Sequence, residues 1–358
     1  MALLEYKCPC CGGKLEFDGS IGKVKCPFCD TEFDVSTFTD LDRELNEETA
    51  EDMKWNNEST EVWGAEEGMA YYNCKSCGAQ IVMDETTSAS KCPYCDNPIV
   101  MMGNLKGDLK PELIIPFKLD KKAAKTAFTN HLSGKKLLPR VFKDSSHIDE
   151  IKGVYVPHWV YNSKANASMR FKATKEKNSR ELEYSVTETS YYSVFRSGSM
   201  EFENVPVDSS TKMANDLMDS VQPFDFKDAV PFQTAYMAGY MADKYDEDSA
   251  ACEERANVRI KNSTAKAFEE TVKGYTHVDV ETQNIGLVDG SSRYALLPVW
   301  VLSTKWNGEN YIFAMNGQTG KFVGDLPCDK SLFKQYAFKA GAIAGAITFA
   351  ILTLIQLL

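Results

Sequence analysis

Four Cys-x-x-Cys pairs recur near the start of the chain at one fixed offset. Cys8/Cys11 and Cys26/Cys29 form the first set, and adding 66 to each number gives Cys74/Cys77 and Cys92/Cys95. Fourteen residues separate the two pairs within each set. A Cys-x-x-Cys turn presents two thiolates on one side of a tight loop, and a second turn closes a tetrahedron around Zn2+. Each first pair is followed by glycine (Gly12, Gly78), which accepts the positive φ that such turns require. The short alternating stretches Lys14–Phe17 and Gln80–Met83 suit small hairpins. The spacing predicts two rubredoxin-like zinc ribbons, at 1–37 and 71–104, each with one structural Zn2+ as cofactor.

Cys10 lies inside the first turn, but its counterpart at the same offset is Ser76, a poor ligand, so Cys10 reads as a spectator. Cys252 and Cys328 lie outside the pattern and read as ordinary thiols. A redox Cys-x-x-Cys calls for a single pair beside a βαβ unit. A disulfide framework calls for an oxidising compartment, whereas residues 1–7 contain no secretory apolar stretch. A four-cysteine site is coordinatively closed and leaves no position for water or substrate. It supplies on the order of 10–16 kcal/mol to a module too small for its own core.

The far end of the sequence is of another kind. Residues 340–358 contain no charge, and nineteen residues at about 1.5 Å each approach the ~30 Å thickness of a bilayer core. Lys330, Lys334 and Lys339 precede the stretch and nothing charged follows it. The positive-inside rule then places the N-terminal bulk in the cytoplasm of a single-pass, tail-anchored cell-membrane protein. Gly341 and Gly345 form a GxxxG on this segment, a pattern through which membrane helices self-associate into homo-oligomers. A buried helix of a soluble domain is the competing reading.

The net charge is −11, and it is unevenly spread. Between Asp40 and Glu67, eleven acids face only Arg43 and Lys54, which makes 38–70 an acidic linker, although Trp55 and Trp63 point to docking somewhere. Neither ribbon is basic: residues 1–35 carry −2 and residues 72–103 carry −1. Nucleic-acid binding begins with clustered Lys and Arg on phosphate, so the charge argues for a protein partner. A nucleic-acid-binding protein of transcription or replication is the alternative, resting on the ribbons alone.

Residues 110–327 read as an α+β body. Leu113–Phe117 reads as a strand, Asp120 as the N-cap of a helix to Leu132 that stops near Gly134, and 153–203 as strand-rich. A second helix is expected over 249–272, then strands with turns at Asp289-Gly290, Asn307-Gly308 and 317–320. Val156-Pro157-His158-Trp159-Val160 and Leu297-Pro298-Val299-Trp300-Val301 align at an offset of 141, each after an expected helix, which suggests a duplicated body of two related halves. The fold class is therefore multidomain α+β.

Catalytic signatures are missing. His131, His147, His158 and His277 form no spaced metal pair, and His158 reads as structural or surface-lying. Residues 317–321 lack the spacing of a phosphate loop and read as a turn. The aromatic and Met-rich run 231–241 reads as core, as a contact between halves, or as the lining of a groove. The chain is not expected to be an enzyme.

The twin ribbons, Val205-Pro206-Val207-Asp208, Pro223-Phe224-Asp225, Pro231-Phe232, residues 242–246, Leu297-Pro298-Val299-Trp300 and residues 315–321 together resemble a family of Gram-positive bacterial membrane proteins. That family is labelled TFIIB-type zinc ribbon or primosomal/helicase-like; this chain has no Walker A loop and no basic track. The resemblance implies a membrane-bound adaptor that anchors a stress-response complex, with a PspA-type protein and an SPFH-domain protein as partners. It implies the same eight cysteines as zinc ligands and no catalytic residue.

Overall fold

The computed structural model describes residues 8, 13–35, 55–64, 69–84, 91–105, 107–181 and 184–357. These form a mixed α+β protein that is mostly sheet, with five α-helices. The strands begin with β1 (Glu16–Asp18), β2 (Lys23–Lys25), β3 (Glu32–Asp34) and β4 (Asn56–Asn57). Next come β5 (Met69–Cys74), β6 (Gln80–Asp84), β7 (Ile99–Asn104), β8 (Leu113–Ile114), β9 (Lys152–Glu181) and β10 (Tyr184–Asp208). Then follow β11 (Val230–Pro231), β12 (Met241–Asp243), β13 (His277–Trp306), β14 (Glu309–Asn316) and β15 (Phe322–Val323). The helices are α1 (Lys121–Leu132), α2 (Ser145–Ile148), α3 (Asn215–Val221), α4 (Ser249–Glu270) and α5 (Lys330–Leu357).

Contacts group the chain into two units, one of residues 1–57, 161–205 and 253–292 and the other of 58–160, 206–252 and 293–358. The grouping cuts across the stretch expected as one α+β body, because β9, β10 and β13 each contribute to both units. The reason can be read along β9. From Val154 to Val160 every side chain is buried, the pattern of a strand covered on both faces. From Tyr161 to Thr174 burial alternates strictly, with Ala165, Ala167, Met169, Phe171 and Ala173 inward and their neighbours out, the pattern of a strand covered on one face.

In the second unit the sheet order is β11-β8-β13-β9-β12-β6-β5-β7, with β14 and β15 continuing from β13. The second ribbon is thus part of a larger sheet: β6 pairs with β5 and also with β12, which itself runs parallel to β9. One hydrophobic cluster runs from Cys74, Cys92 and Tyr94 through Val154, Val156, Leu297 and Val299 to Met218 on α3. A second packs Phe128 of α1 and Phe142 against Phe313 and Trp300.

Asp120 caps α1 as expected, its carboxylate accepting from the Ala123 amide at 2.7 Å, and Gly134 follows at φ +76°. Leu113–Phe117 shortens to the two residues of β8 because Pro116 has no amide to donate. Parallel pairing sets Leu113 and Ile114 of β8 opposite Ala295 and Leu296, and Met241 and Ala242 of β12 opposite Val154 and Tyr155. The indole N–H of Trp300 donates to the Leu119 carbonyl and that of Trp159 to the Glu247 carbonyl, both at 3.0 Å. Each carbonyl belongs to the residue just before a helix-capping aspartate, Asp120 or Asp248. His158 is buried with Nδ1 against the Val156 carbonyl, a structural placement.

In the first unit, Met169, Phe171 and Val194 pack against Phe268 and Val272 behind α4. Trp55 docks there, its indole N–H on Asn257 and its ring edge-on to Tyr161 at 4.8 Å. Trp63, in the other unit, is buried edge-on to Phe232. The expected turn at Asp289-Gly290 is not one: β13 runs through it, with Asp289 at φ +55°, a conformation that Asp tolerates through its short polar side chain. Asn307-Gly308, with φ +51° and +84°, is the two-residue hairpin turn expected.

Gly317 joins the body strands to the approach to α1. Its amide bonds the Pro298 carbonyl at 2.8 Å, and an added Cβ would lie 2.6 Å from the Phe117 ring and 3.0 Å from Pro298. Gly317→Ala is expected to destabilise the second unit by about 1–3 kcal/mol through overpacking. Thermal melting of the detergent-solubilised chain, followed by near-UV circular dichroism, will register this as a lowered midpoint.

Candidate metal centres

The second tetrad assembles completely. The sulfurs of Cys74, Cys77, Cys92 and Cys95 all lie within 4.8 Å of one another. Cys74 and Cys95 are 3.5 Å apart and Cys77 and Cys92 3.6 Å, far from the ~2.05 Å of a disulfide. A tetrahedron with metal–sulfur bonds of about 2.3 Å has edges of about 3.8 Å, so this set fits a four-coordinate metal. Local turns impose the arrangement. Cys74 N–H bonds the Ala79 carbonyl and Gly78 N–H the Cys74 carbonyl; Cys92 with Asn97 and Asp96 with Cys92 repeat the pattern. The residue after each turn has positive φ, Gly78 at +73° and Asp96 at +60°.

Burial makes Cys77 and Cys92 reluctant to ionise alone. It raises Cys77 to about 11, and raises Cys92 as well. Burial pushes Cys95 up too, but the Asn97 backbone N–H and side-chain amide outweigh it and bring that thiol to about 7. Asn97 Nδ2 reaches Cys95 Sγ at 3.4 Å and Ser76 Oγ at 2.8 Å. A divalent cation would supply the charge that buried thiolates need, and its binding would release protons.

The first tetrad is described in three of its four members. The sulfurs of Cys8, Cys26 and Cys29 cluster, with Cys8 and Cys29 3.6 Å apart; Cys11, and Cys10, which the sequence reads as a spectator, lie outside the described residues. Thr31, the counterpart of Asn97, places its hydroxyl 3.2 Å from Cys29. Asp30, the counterpart of Asp96, has φ +59°. Among the described residues no other His, Cys, Asp or Glu group has this geometry. Cys252 is buried and Cys328 exposed, apart from both clusters.

The two clusters differ most at the aromatic residue between their second pair of cysteines. Phe28 of the first ribbon is 75% exposed, whereas Tyr94 of the second is 2% exposed. Tyr94 donates to Asp243 Oδ2 at 2.8 Å, and Ser210 donates to the same oxygen. Asp243 is buried, and its Oδ1 has no hydrogen-bond partner among the described residues. Burial therefore lifts its carboxyl from 3.8 to about 7, the bonds from Ser210 and Tyr94 pulling it only part of the way back. Cysteine spacing does not reveal this acid; the one hint is tyrosine where the first copy has phenylalanine, because a buried phenol needs a partner.

A sheet-rich α+β fold, a cluster of four cysteines, a second cluster of three described cysteines and one long apolar helix define the class: a mixed α+β protein with two candidate metal-binding cysteine clusters. The helix α5 is long and apolar enough over Lys330–Thr353 to cross a membrane, and none of it is buried. It begins ten residues before the expected 340. No family model matches the sequence, and no solved structure is similar to it. The chain belongs to the family of the uncharacterized protein YdjG of Bacillus subtilis (strain 168). The two are 33% identical over 358 residues, 99% of this chain and 98% of the relative.

Two outcomes are expected. Elemental analysis of the intact chain will find two zinc ions; Cys92→Ala will lose one and collapse the near-UV signal of the second unit, while Cys26→Ala will lose one and leave that signal. Asp243 binds a proton more tightly folded than unfolded, so its contribution to stability falls as pH rises from 3.8 to about 7. The melting temperature of Asp243→Asn, relative to wild type, will therefore rise between pH 5.5 and 7.5, where a group without linkage would give a constant difference.

Proposed function

We propose that this protein is a non-enzymatic adaptor held to the bilayer by α5, with its bulk in the cytoplasm and two structural zinc ions. The observation that carries this is the asymmetry between the ribbons. At equivalent positions the second ribbon buries Met83 and Tyr94, whereas the first exposes Phe17 to 63% and Phe28 to 75%. In the second copy those positions meet the protein's own core; in the first they are left for another protein, and exposed apolar surface of this kind marks interaction sites. A closed all-cysteine site makes the ribbon rigid and gives it no chemistry of its own. Gly13 lets the Phe28 ring lie close against the backbone, since any Cβ there would lie 2.5 Å from that ring.

The sequence resemblance to membrane anchors of stress-response complexes supports the reading and names PspA-type and SPFH-domain proteins as the partners to seek. We further propose that the body arose from two related halves. The offset between β8 and β12 is 128 and that between their partner positions on β9 and β13 is 141, and both pairings keep the same register. Each half's tryptophan bonds the residue ahead of the other half's helix cap.

Affinity purification from detergent-solubilised membranes is expected to recover a stoichiometric protein partner that Phe17→Ser/Phe28→Ser loses while zinc content stays at two. Retention of the partner by that variant, or salt-dependent DNA binding in place of a protein partner, contradicts the reading.

A further inference from the structure

The second unit carries an open cleft of about 390 Å3, within the range of small-ligand sites, that neither metal centre uses. The buried Trp300 and Ile151 line it, together with Tyr240, Met241, Lys121 and Lys152. The aromatic wall is built in: Tyr240 stacks on Phe117 at 4.2 Å and 5°, and Phe117 meets Trp300 edge-on at 5.1 Å. Gly153 keeps the cleft open, because a Cβ there would lie 2.6 Å from the Tyr240 ring and 3.2 Å from Trp300.

The charges around the cleft are nearly all committed. Lys152 donates to Asp96 and to the Cys92 carbonyl, both at 3.0 Å. Lys125 pairs with Asp149 at 2.7 Å, and Lys91 with Asp96 and Glu150. The Asp120 carboxylate accepts from the Ala123 amide. Lys121 is different, since its ammonium has no ion pair or hydrogen bond among the described residues. Desolvation and the charges of Lys125 and Lys152 hold it below the usual lysine range against a smaller pull from Asp149. The Tyr240 phenol likewise has no partner among the described residues. Burial and the Asp120 charge keep it protonated, and so a donor.

We propose that this cleft binds a phosphomonoester, its phosphate on Lys121 and the Tyr240 hydroxyl and its organic part on Trp300. A compact ammonium and a hydroxyl lining one cleft suit a tetrahedral dianion, whereas planar carboxylate recognition is better served by the fork of arginine. An aromatic lining holds a ring or short alkyl group. A soluble phosphomonoester and a lipid phosphate headgroup share this chemistry. The assignment is independent of the adaptor reading.

The test is calorimetric titration of the intact, zinc-replete chain in neutral detergent and phosphate-free buffer, with phenyl phosphate in one arm and dihexanoyl phosphatidic acid in the other. Binding with a Kd below about 1 mM is expected in at least one arm, weakened about tenfold or more by Lys121→Gln and less by Tyr240→Phe. Binding of phenyl phosphate assigns a soluble ligand; binding of the phosphatidic acid alone assigns a lipid headgroup. Lys121 is exposed, so the variant should fold, and an unchanged melting temperature will verify it. No binding in either arm, or binding unaffected by Lys121→Gln, overturns the assignment.

Discussion

Tyr94 lies between Cys92 and Cys95 of the four-cysteine cluster, and its hydroxyl donates to Asp243, 149 residues further along the chain. Around that bond β6 of the ribbon pairs with β12, and β12 with β9. The cysteine turn, the ribbon hairpin and the central strands therefore share one apolar cluster, in which Cys74 and Cys92 are as buried as Val154 and Leu297. The polar cost is concentrated on Asp243, whose Oδ2 accepts two hydrogen bonds while Oδ1 has none among the described residues. Burial favours its neutral form below about pH 7, where the junction closes without an internal charge.

The same repeat is put to two uses. The first ribbon keeps the second cysteine turn, the positive-φ residue after it and a hydrogen-bonding side chain beside the last thiol. It differs in having phenylalanine for tyrosine and leaving that ring outside. A zinc-stabilised module does not need a large core of its own, so its apolar face is available either to the rest of the chain or to another molecule. Copy two takes the first course, and the adaptor reading gives copy one the second.

Local chemistry made much of this legible from sequence. Cysteine spacing named eight candidate ligands, seven of which the structure describes and brings into two clusters, and Asp120 and Gly134 marked both ends of α1. Asn307-Gly308 named its own hairpin. What stayed hidden depends on distant partners. Asp289-Gly290 has the composition of a turn, yet pairing of Ser291 and Ser292 with β4 carries the strand onward. The two-sided burial of residues 154–160 beside the one-sided burial of 161–174 marks where one strand passes from unit to unit, which length and composition did not reveal. Nor does any local pattern say that Lys121 is left without a partner among the described residues while Lys125 and Lys152 are paired.

The central claim is that the second metal centre is part of the core of its unit rather than an appended module. Hydrogen exchange of the intact chain, with zinc present and after chelation, tests it most directly at the amides of Val154–Val160 and Ala295–Leu302. The account predicts that these strands lose protection together with residues 69–84 when the metal is removed. Loss of protection confined to the ribbon, with the central strands unchanged, would contradict it.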